Sequence, residues 1–154
     1  MLFPWEKNHV IQGGKVDLRF ESREDPCART SWVPSVYFAI CPHGRHVKIG
    51  ECDLRLGMNE EIYYAGNIGY RIYQPFRGHG YAYDACLLLF RIAAEKYHMQ
   101  ELILTCSPEN VPSRKTLEKL HGNLLETVQV PETHWLYQRG ETVKNIYQFN
   151  LRSI

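Results

Sequence analysis

Residues Gly69-Tyr-Arg-Ile-Tyr-Gln-Pro-Phe-Arg-Gly-His-Gly-Tyr-Ala82 carry a strand-like run into a glycine-rich turn, and that turn opens the longest apolar-periodic helix of the sequence. Such a junction can hold a pyrophosphate. Gly78 and Gly80 let the backbone approach an anion without a Cβ in the way, and the unpaired N–H groups of the first helical turn, reinforced by the helix dipole, supply the attraction. Two common nucleotide fingerprints fail here. A P-loop needs a Lys-Ser/Thr pair after its last glycine, whereas Tyr81 and Ala82 follow Gly80. The dinucleotide pattern matches at Gly78 and Gly80, but Tyr83 replaces its third glycine and no run of further βα units follows.

The elements that position this turn can be read from periodicity. Lys15 to Glu21 alternates apolar and polar residues, Ser35 to Ile40 is an aromatic-rich strand, and Pro42-His-Gly-Arg45 reads as a hairpin turn into a third strand, Val47 to Leu54. Gly57 to Glu61 is a polar connection. Asn67 to Tyr73 is the fourth strand, stopped by Pro75, which has no N–H to give. From Tyr81 to Tyr97, Ala85, Leu88, Leu89, Ile92 and Ala93 fall at helical spacing. Glu101 to Cys106 is a buried strand made parallel to the fourth by the helical crossover. Asn110 as N-cap, Pro112 in the first turn and Gly122 at C′ frame a helix over about Ser113 to His121. Leu124 to Val130 and Lys144 to Leu151 close the chain as strands.

With 154 residues and no internal linker or repeat, one domain over residues 1–154 is expected. A hydrophobic content of 44%, a charged content of 23% and a formal net charge of +1 show no bias toward nucleic acid or membrane. The opening MLFPWEKNHV has an early charge and no long apolar run, so a cytoplasmic protein is expected. Cys27, Cys41, Cys52, Cys86 and Cys106 show no metal-finger spacing, so reduced, mostly buried thiols and no metal site are expected.

An antiparallel meander, then Arg77-Gly-His-Gly-Tyr-Ala82, then Pro108-Glu-Asn-Val-Pro-Ser113 at the right distance, resembles the GNAT superfamily of acetyl-CoA-dependent N-acetyltransferases. The likeness covers most of the chain. It implies an α/β (α+β) fold: a mixed central sheet, an antiparallel N-terminal meander, a splayed parallel strand pair and helices on both faces. The family's leading Gln/Arg position falls on Pro75, between Gln74 and Arg77. The resemblance implies that Ile72, Tyr73, Gln74, Arg77, Gly78, His79, Gly80, Tyr81, Ala82, Asn110 and Ser113 bind acetyl-CoA. Asn110 can at the same time be the helix N-cap, and His79 can simply face solvent.

In that family the pantetheine arm pairs with the splayed strand like an added strand. Tyr70 to Tyr73 would be the template, with the Ile72 N–H aimed at the thioester oxyanion, worth roughly 3 kcal/mol. The acceptor amine attacks directly. Candidate proton acceptors are Glu51, in a strand bordering the cleft, and Glu60 or Glu61 in the polar stretch. Leu117 occupies the position where many members carry a tyrosine that protonates the departing thiolate, so Tyr137, Tyr147 or solvent must serve instead. Members also place two helices between their first two strands, which Ser22 to Pro34 is too short to hold. The acceptor side should be open, or closed by Trp32, by the 131–143 connection or by a second subunit in a homodimer. The expected function is acetyl transfer to a primary amine, with a non-catalytic CoA-binding sensor or interaction module as the alternative.

Overall fold

A computed structural model describes residues 9–26 and 32–153. Cys27 and the opening residues 1–8 lie outside them. Five strands form one antiparallel ladder: β1 (Val10–Gln12), β2 (Val16–Glu24), β3 (Ser35–Pro42), β4 (Gly50–Arg55) and β5 (Ile68–Ile72), in that order. Three more form a second ladder in the order β6 (Glu101–Cys106), β8 (Val143–Asn150), β7 (Asn123–Gln129). The helices are α1 (Glu60–Ala65), α2 (Tyr81–Lys96), α3 (Val111–Lys119) and the short α4 (Trp135–Gln138).

Side-chain alternation builds the core. Val16 and Leu18 on β2, Val36, Phe38 and Ile40 on β3, Cys52 and Leu54 on β4, and Ile68 and Ile72 on β5 all join one buried cluster with Ala85, Leu89, Ile92 and Ala93 of α2. Burying each of the larger side chains is worth about 1.5–3 kcal/mol. Leu102, Leu104 and Cys106 of β6 belong to the same cluster, whereas the Thr105 hydroxyl donates to the Tyr64 carbonyl of α1 at 2.8 Å. Helices therefore lie on both faces of β6.

The third strand begins at Gly50 rather than Val47, because residues 43–49 make an irregular return that ends with Ile49 N–H donating to the Ile40 carbonyl at 2.8 Å. The polar stretch 57–61 proves to be the approach to α1, capped by Asn59, whose side chain accepts from the Ile62 N–H at 2.9 Å. α3 ends in a Schellman turn whose left-handed residue is His121 (φ 64°), not Gly122. His121 N–H donates to Glu118 and Gly122 N–H to Leu117. Gly122 is needed for a different reason: a Cβ there would lie 2.6 Å from Phe149 Cζ.

β2 runs on to Glu24, which pairs directly with Ser35, so residues 25–34 connect the two strands, and 27–31 of these lie outside the described residues. The same side of the sheet is tied at its other end by Asp17. Its buried carboxylate accepts from Gly13 N–H (3.1 Å), Gly44 N–H (2.8 Å) and His43 Nδ1 (2.8 Å), joining the β1–β2 and β3–β4 turns. Burial alone would raise this carboxyl, but the bonds from Gly44, His43 and Gly13 outweigh it and hold it below the usual carboxylate range. Asp17→Ala should cost about 3 kcal/mol at neutral pH. Because the folded pKa is depressed, this contribution is complete above the unfolded value of about 3.9 and lost as pH falls through the folded one. Denaturant unfolding of both proteins should show the gap closing in acid, and a gap independent of pH would contradict the assignment.

Candidate active site

The strand pairing decides which backbone groups of β5 are free. Arg55 N–H donates to Asn67 C=O, and Tyr73 N–H to Ile49 C=O, so Gly69, Arg71 and Tyr73 turn their main-chain groups toward β4, as Asn67 does its carbonyl. Ile68, Tyr70 and Ile72 turn theirs the other way, and β5 is the edge of its ladder. The Ile72 carbonyl accepts from Arg77 Nε at 2.8 Å, which leaves its N–H aimed into the gap between β5 and β6.

Both strands feed the same opening. From β5 a single 3₁₀ turn (Gln74–Phe76) leads to Gly78 (φ 88°) and Gly80 (φ 76°), and Gly80 is the N-cap of α2. Having no side chain, Gly80 leaves the Tyr81, Ala82 and Tyr83 N–H groups uncapped, and a Cβ on either glycine would meet nothing within 4 Å. From β6 the chain enters α3 through Asn110, whose side chain accepts from the Ser113 N–H at 3.3 Å. Between these two helix starts lies a cavity of about 570 Å³. Its walls carry Arg71, Arg77 and the turn glycines but no acidic side chain, a combination suited to an extended anion.

Of the residues singled out from sequence, Ile72, Arg77, Gly78, Gly80, Tyr81, Ala82, Asn110 and Ser113 line this cavity. Tyr73, Gln74 and His79 do not. Tyr73 follows the strand alternation to the other face, where its hydroxyl donates to Glu51 at 3.3 Å. Gln74 lies in the 3₁₀ turn, and the His79 ring stands 5.5 Å from that of Tyr81. Tyr137 sits on α4 and lines neither this cavity nor the one described next. Tyr147 is buried in β8, and Leu117 is buried in α3.

Sequence reading took Tyr70 only as template backbone and missed its side chain. It reaches from β5 to α3, where its hydroxyl donates to Ser113 Oγ at 3.4 Å. Burial raises its pKa, with hydrogen bonds to Ser113 and Thr116 pulling the other way. The four described cysteines are free and buried, and burial pushes the Cys86 thiol up to about 12, which leaves it inert as a nucleophile. Among the described residues no group of three His, Cys, Asp or Glu side chains could hold a metal ion, and no helix is long and apolar enough to cross a membrane.

A second cavity, of about 490 Å³, opens on the sheet face opposite α2, and Tyr70 and Arg71 line both. Here Glu51 is 46% exposed, with Lys48 Nζ 3.5 Å away. Asp53 is far more enclosed: its side chain is 14% exposed, and Oδ2 accepts from Arg55 Nε at 2.7 Å. Arg55 also donates to the Ala65 and Gly66 carbonyls. Burial raises the Asp53 carboxyl, with Arg55 partly offsetting it. Glu61, by contrast, is engaged by the buried His134 ring, whose Nδ1 accepts from Leu136 N–H and whose Nε2 stands 3.1 Å from the Glu61 carboxylate. At one end the face is closed by Trp32 and Trp135, 6.1 Å apart, with the Arg55 guanidinium over Trp32 and that of Arg139 over Trp135.

The family model described as Acetyltransferase (GNAT) domain matches residues 9–123. No curated protein sequence matches significantly. Among solved structures, a GNAT-family acetyltransferase from Bacillus anthracis is 19% identical with a TM-score of 0.60, over 75% of this chain and 66% of its own. The microcin C7 self immunity acetyltransferase MccE, solved with acetyl-CoA and AMP, is 19% identical with a TM-score of 0.58, over 75% and 61%. This chain thus spans less than two thirds of the length of those two. RimL, a ribosomal L7/L12 alpha-N-protein acetyltransferase solved with coenzyme A, is 13% identical with a TM-score of 0.66, over 92% and 98%. At such identities the likeness is one of fold.

The Arg55–Asp53 pair can be tested without any ligand. Arg55→Met takes the cation from a buried carboxylate and the donor from two carbonyls, an expected loss of about 3 kcal/mol at pH 7. Asp53 should then titrate still higher, so the loss should shrink as pH falls through that raised pKa and the carboxyl becomes neutral. Unfolding curves at neutral and acid pH check this, and an equal loss at both would contradict it.

Proposed function

The chain belongs to the GNAT acetyltransferase family, and from that premise we propose that it moves an acetyl group from acetyl-CoA to a primary amine by direct attack, both substrates being bound together. The observation that carries this reading is the meeting of two cavities at one strand edge. The anion-ready cavity and the cavity on the opposite sheet face share Tyr70 and Arg71, so a donor in the first and an acceptor in the second can touch across β5. Acetyl-CoA supplies an activated thioester carbonyl, and everything else falls to the protein.

The uncapped N–H groups after Gly80 and the Arg77 guanidinium hold the pyrophosphate. The outward-facing main chain of β5 holds the pantetheine amides as a neighbouring strand would. The Ile72 N–H steadies the negative charge that builds on the carbonyl oxygen, a contribution of roughly 3 kcal/mol. Tyr70 takes the part that Tyr137 and Tyr147 do not reach. A buried phenol with a raised pKa stays protonated at neutral pH, and its hydroxyl beside Ser113 can donate a hydrogen bond to the departing thiolate. The acceptor amine must lose a proton on the other sheet face, where the acidic side chains are.

Isothermal titration with acetyl-CoA should find one site per chain. Gly80→Glu sets bulk and negative charge against the phosphates and is expected to abolish that binding with the circular dichroism spectrum unchanged; unaltered affinity would refute the loop assignment. Tyr70→Phe should lower kcat about 10- to 100-fold, the worth of one hydrogen bond to a charged atom, with little change in KM. A thiol-release assay over spermidine, a lysine ester and a short peptide with a free N-terminus reads both. Tight binding of acetyl-CoA without turnover on any amine would make the protein a binding module instead.

A further inference from the structure

We propose that Asp53, held by Arg55 above the bare backbone of Gly69, is the group that takes the proton from the attacking amine. The assignment rests on the acetyl-transfer reading above and names the base within the same site.

The geometry is set by an absent side chain. Asp53 pairs with Gly69 across the β4–β5 ladder, and both project on the face opposite α2. A Cβ on Gly69 would lie 2.6 Å from both Asp53 Oδ1 and Arg55 Nη2, so the carboxylate and its guanidinium partner occupy the space that any other residue would fill. The carboxylate is thereby placed over β5, the edge strand of its ladder. Its two oxygens are not equivalent. Oδ2 accepts from Arg55 Nε at 2.7 Å, whereas Oδ1 lies over Gly69 beside Arg55 Nη2. Oδ2 is anchored, and Oδ1 is the oxygen placed to accept a proton from the second cavity, which Asp53 lines.

The neighbouring acids fit the role less well. Glu51 is largely solvated and shared between Lys48 and the Tyr73 hydroxyl. Glu24 accepts from the Tyr37 hydroxyl. Besides Arg55 and Glu51 on its own strand, Asp53 shares this face with Tyr37 of β3, Arg71 of β5, Glu21 of β2 and Arg139 beyond α4. Burial keeps its carboxyl above the ordinary range in spite of Arg55, which brings it nearer to the proton it must accept.

The step balances without any further reagent. An ammonium proton passes to Oδ1, directly or through one water, and the freed nitrogen lone pair bonds to the thioester carbonyl carbon. The C–S bond breaks, and the second amine proton ends on the thiol. Asp53 then releases its proton to solvent.

Asp53→Asn keeps the size and the bond from Arg55 but cannot accept the proton. It should bind acetyl-CoA with the wild-type affinity while kcat/KM falls about 100-fold, and the rise of kcat/KM with pH through the Asp53 pKa should vanish. Glu51→Gln, whatever it does to kcat/KM, should leave the rise of kcat/KM with pH in place. A structural role would depress all acceptors alike, whereas loss of a base should hurt a lysine amine (pKa about 10.4) more than a peptide α-amine (about 7.7–8.0). Carbon-13 NMR titration of the Asp53 carboxyl, without any ligand, should place its midpoint above the ordinary aspartate value of about 3.9. Full turnover by Asp53→Asn, an equal loss for both amines, or a carboxyl titrating at or below that ordinary value would each overturn the assignment. Failure of the wild type to bind acetyl-CoA would instead remove the transferase reading and this assignment with it.

Discussion

Among the described residues, the hydrogen bonds that join the two ladders run through Asn67. Asn67, 2% exposed, donates its N–H to the Ile103 carbonyl at 2.6 Å and accepts from the Ile103 N–H with Oδ1 at 2.8 Å, so an amide replaces one rung of a parallel ladder. Its Nδ2 donates to the Arg55 and Gly57 carbonyls at 2.9 Å each, and its own carbonyl accepts from the Arg55 N–H. Every polar group of Asn67 is therefore used, as a buried amide requires. A side-chain rung fixes contact at one point without propagating a ladder. Beyond it β5 and β6 are free to part, and the cleft that follows exists because the joint is an amide and not a strand.

That single joint also orders the chemistry on both sides of β5. The carbonyls that Arg55 binds, Ala65 and Gly66, directly precede Asn67, and Arg55 in turn holds Asp53. One hydrogen-bonded chain thus runs from the joint between the ladders to the Asp53 carboxylate on the sheet face opposite α2. Toward β6 the same joint leaves Ile68, Tyr70 and Ile72 with main-chain groups facing an open edge. Edge strands invite pairing with any extended chain, and here the edge is short and flanked by α3, so its accessible partner is a ligand of limited width.

Much of this was legible in the sequence, and the remainder was hidden for identifiable reasons. Long periodic elements gave themselves away: Tyr81 to Tyr97 was expected where α2 spans Tyr81–Lys96, and Glu101 to Cys106 matches β6. The pair formed by the glycine turn and the Asn110 cap was readable because both signals are local. α1 was not, since only Ile62 of its residues is fully buried and one buried residue makes no stripe. β1, at three residues, is too short to alternate. Tyr73 was assigned to the cleft although strand alternation turns it away, and the same alternation could have put Asp53 and Arg55 beside Glu51. Tyr70 could not have been found this way, because its partner Ser113 lies 43 residues further along the chain.

Among the described residues no helix covers the sheet face opposite α2, and the composition of that face accounts for it. A row of Arg19, Ala39, Glu51 and Arg71 crosses β2 to β5, with Asp53 and Arg55 in the rows beside it. Seating helices on such a face would strip water from several charges at a cost of several kcal/mol each, more than their mutual attraction returns unless every one is paired. The charges and the shortened β2–β3 connection are therefore consistent with each other, since neither would work with the alternative form of the other. Among the described residues, closure comes from the aromatic end, where the Trp32 and Trp135 rings can carry guanidinium groups on their faces without dehydrating them fully. A molecule entering here would meet charges before it met walls. Recognition on this face would then depend on where that molecule carries its charge more than on the volume it fills.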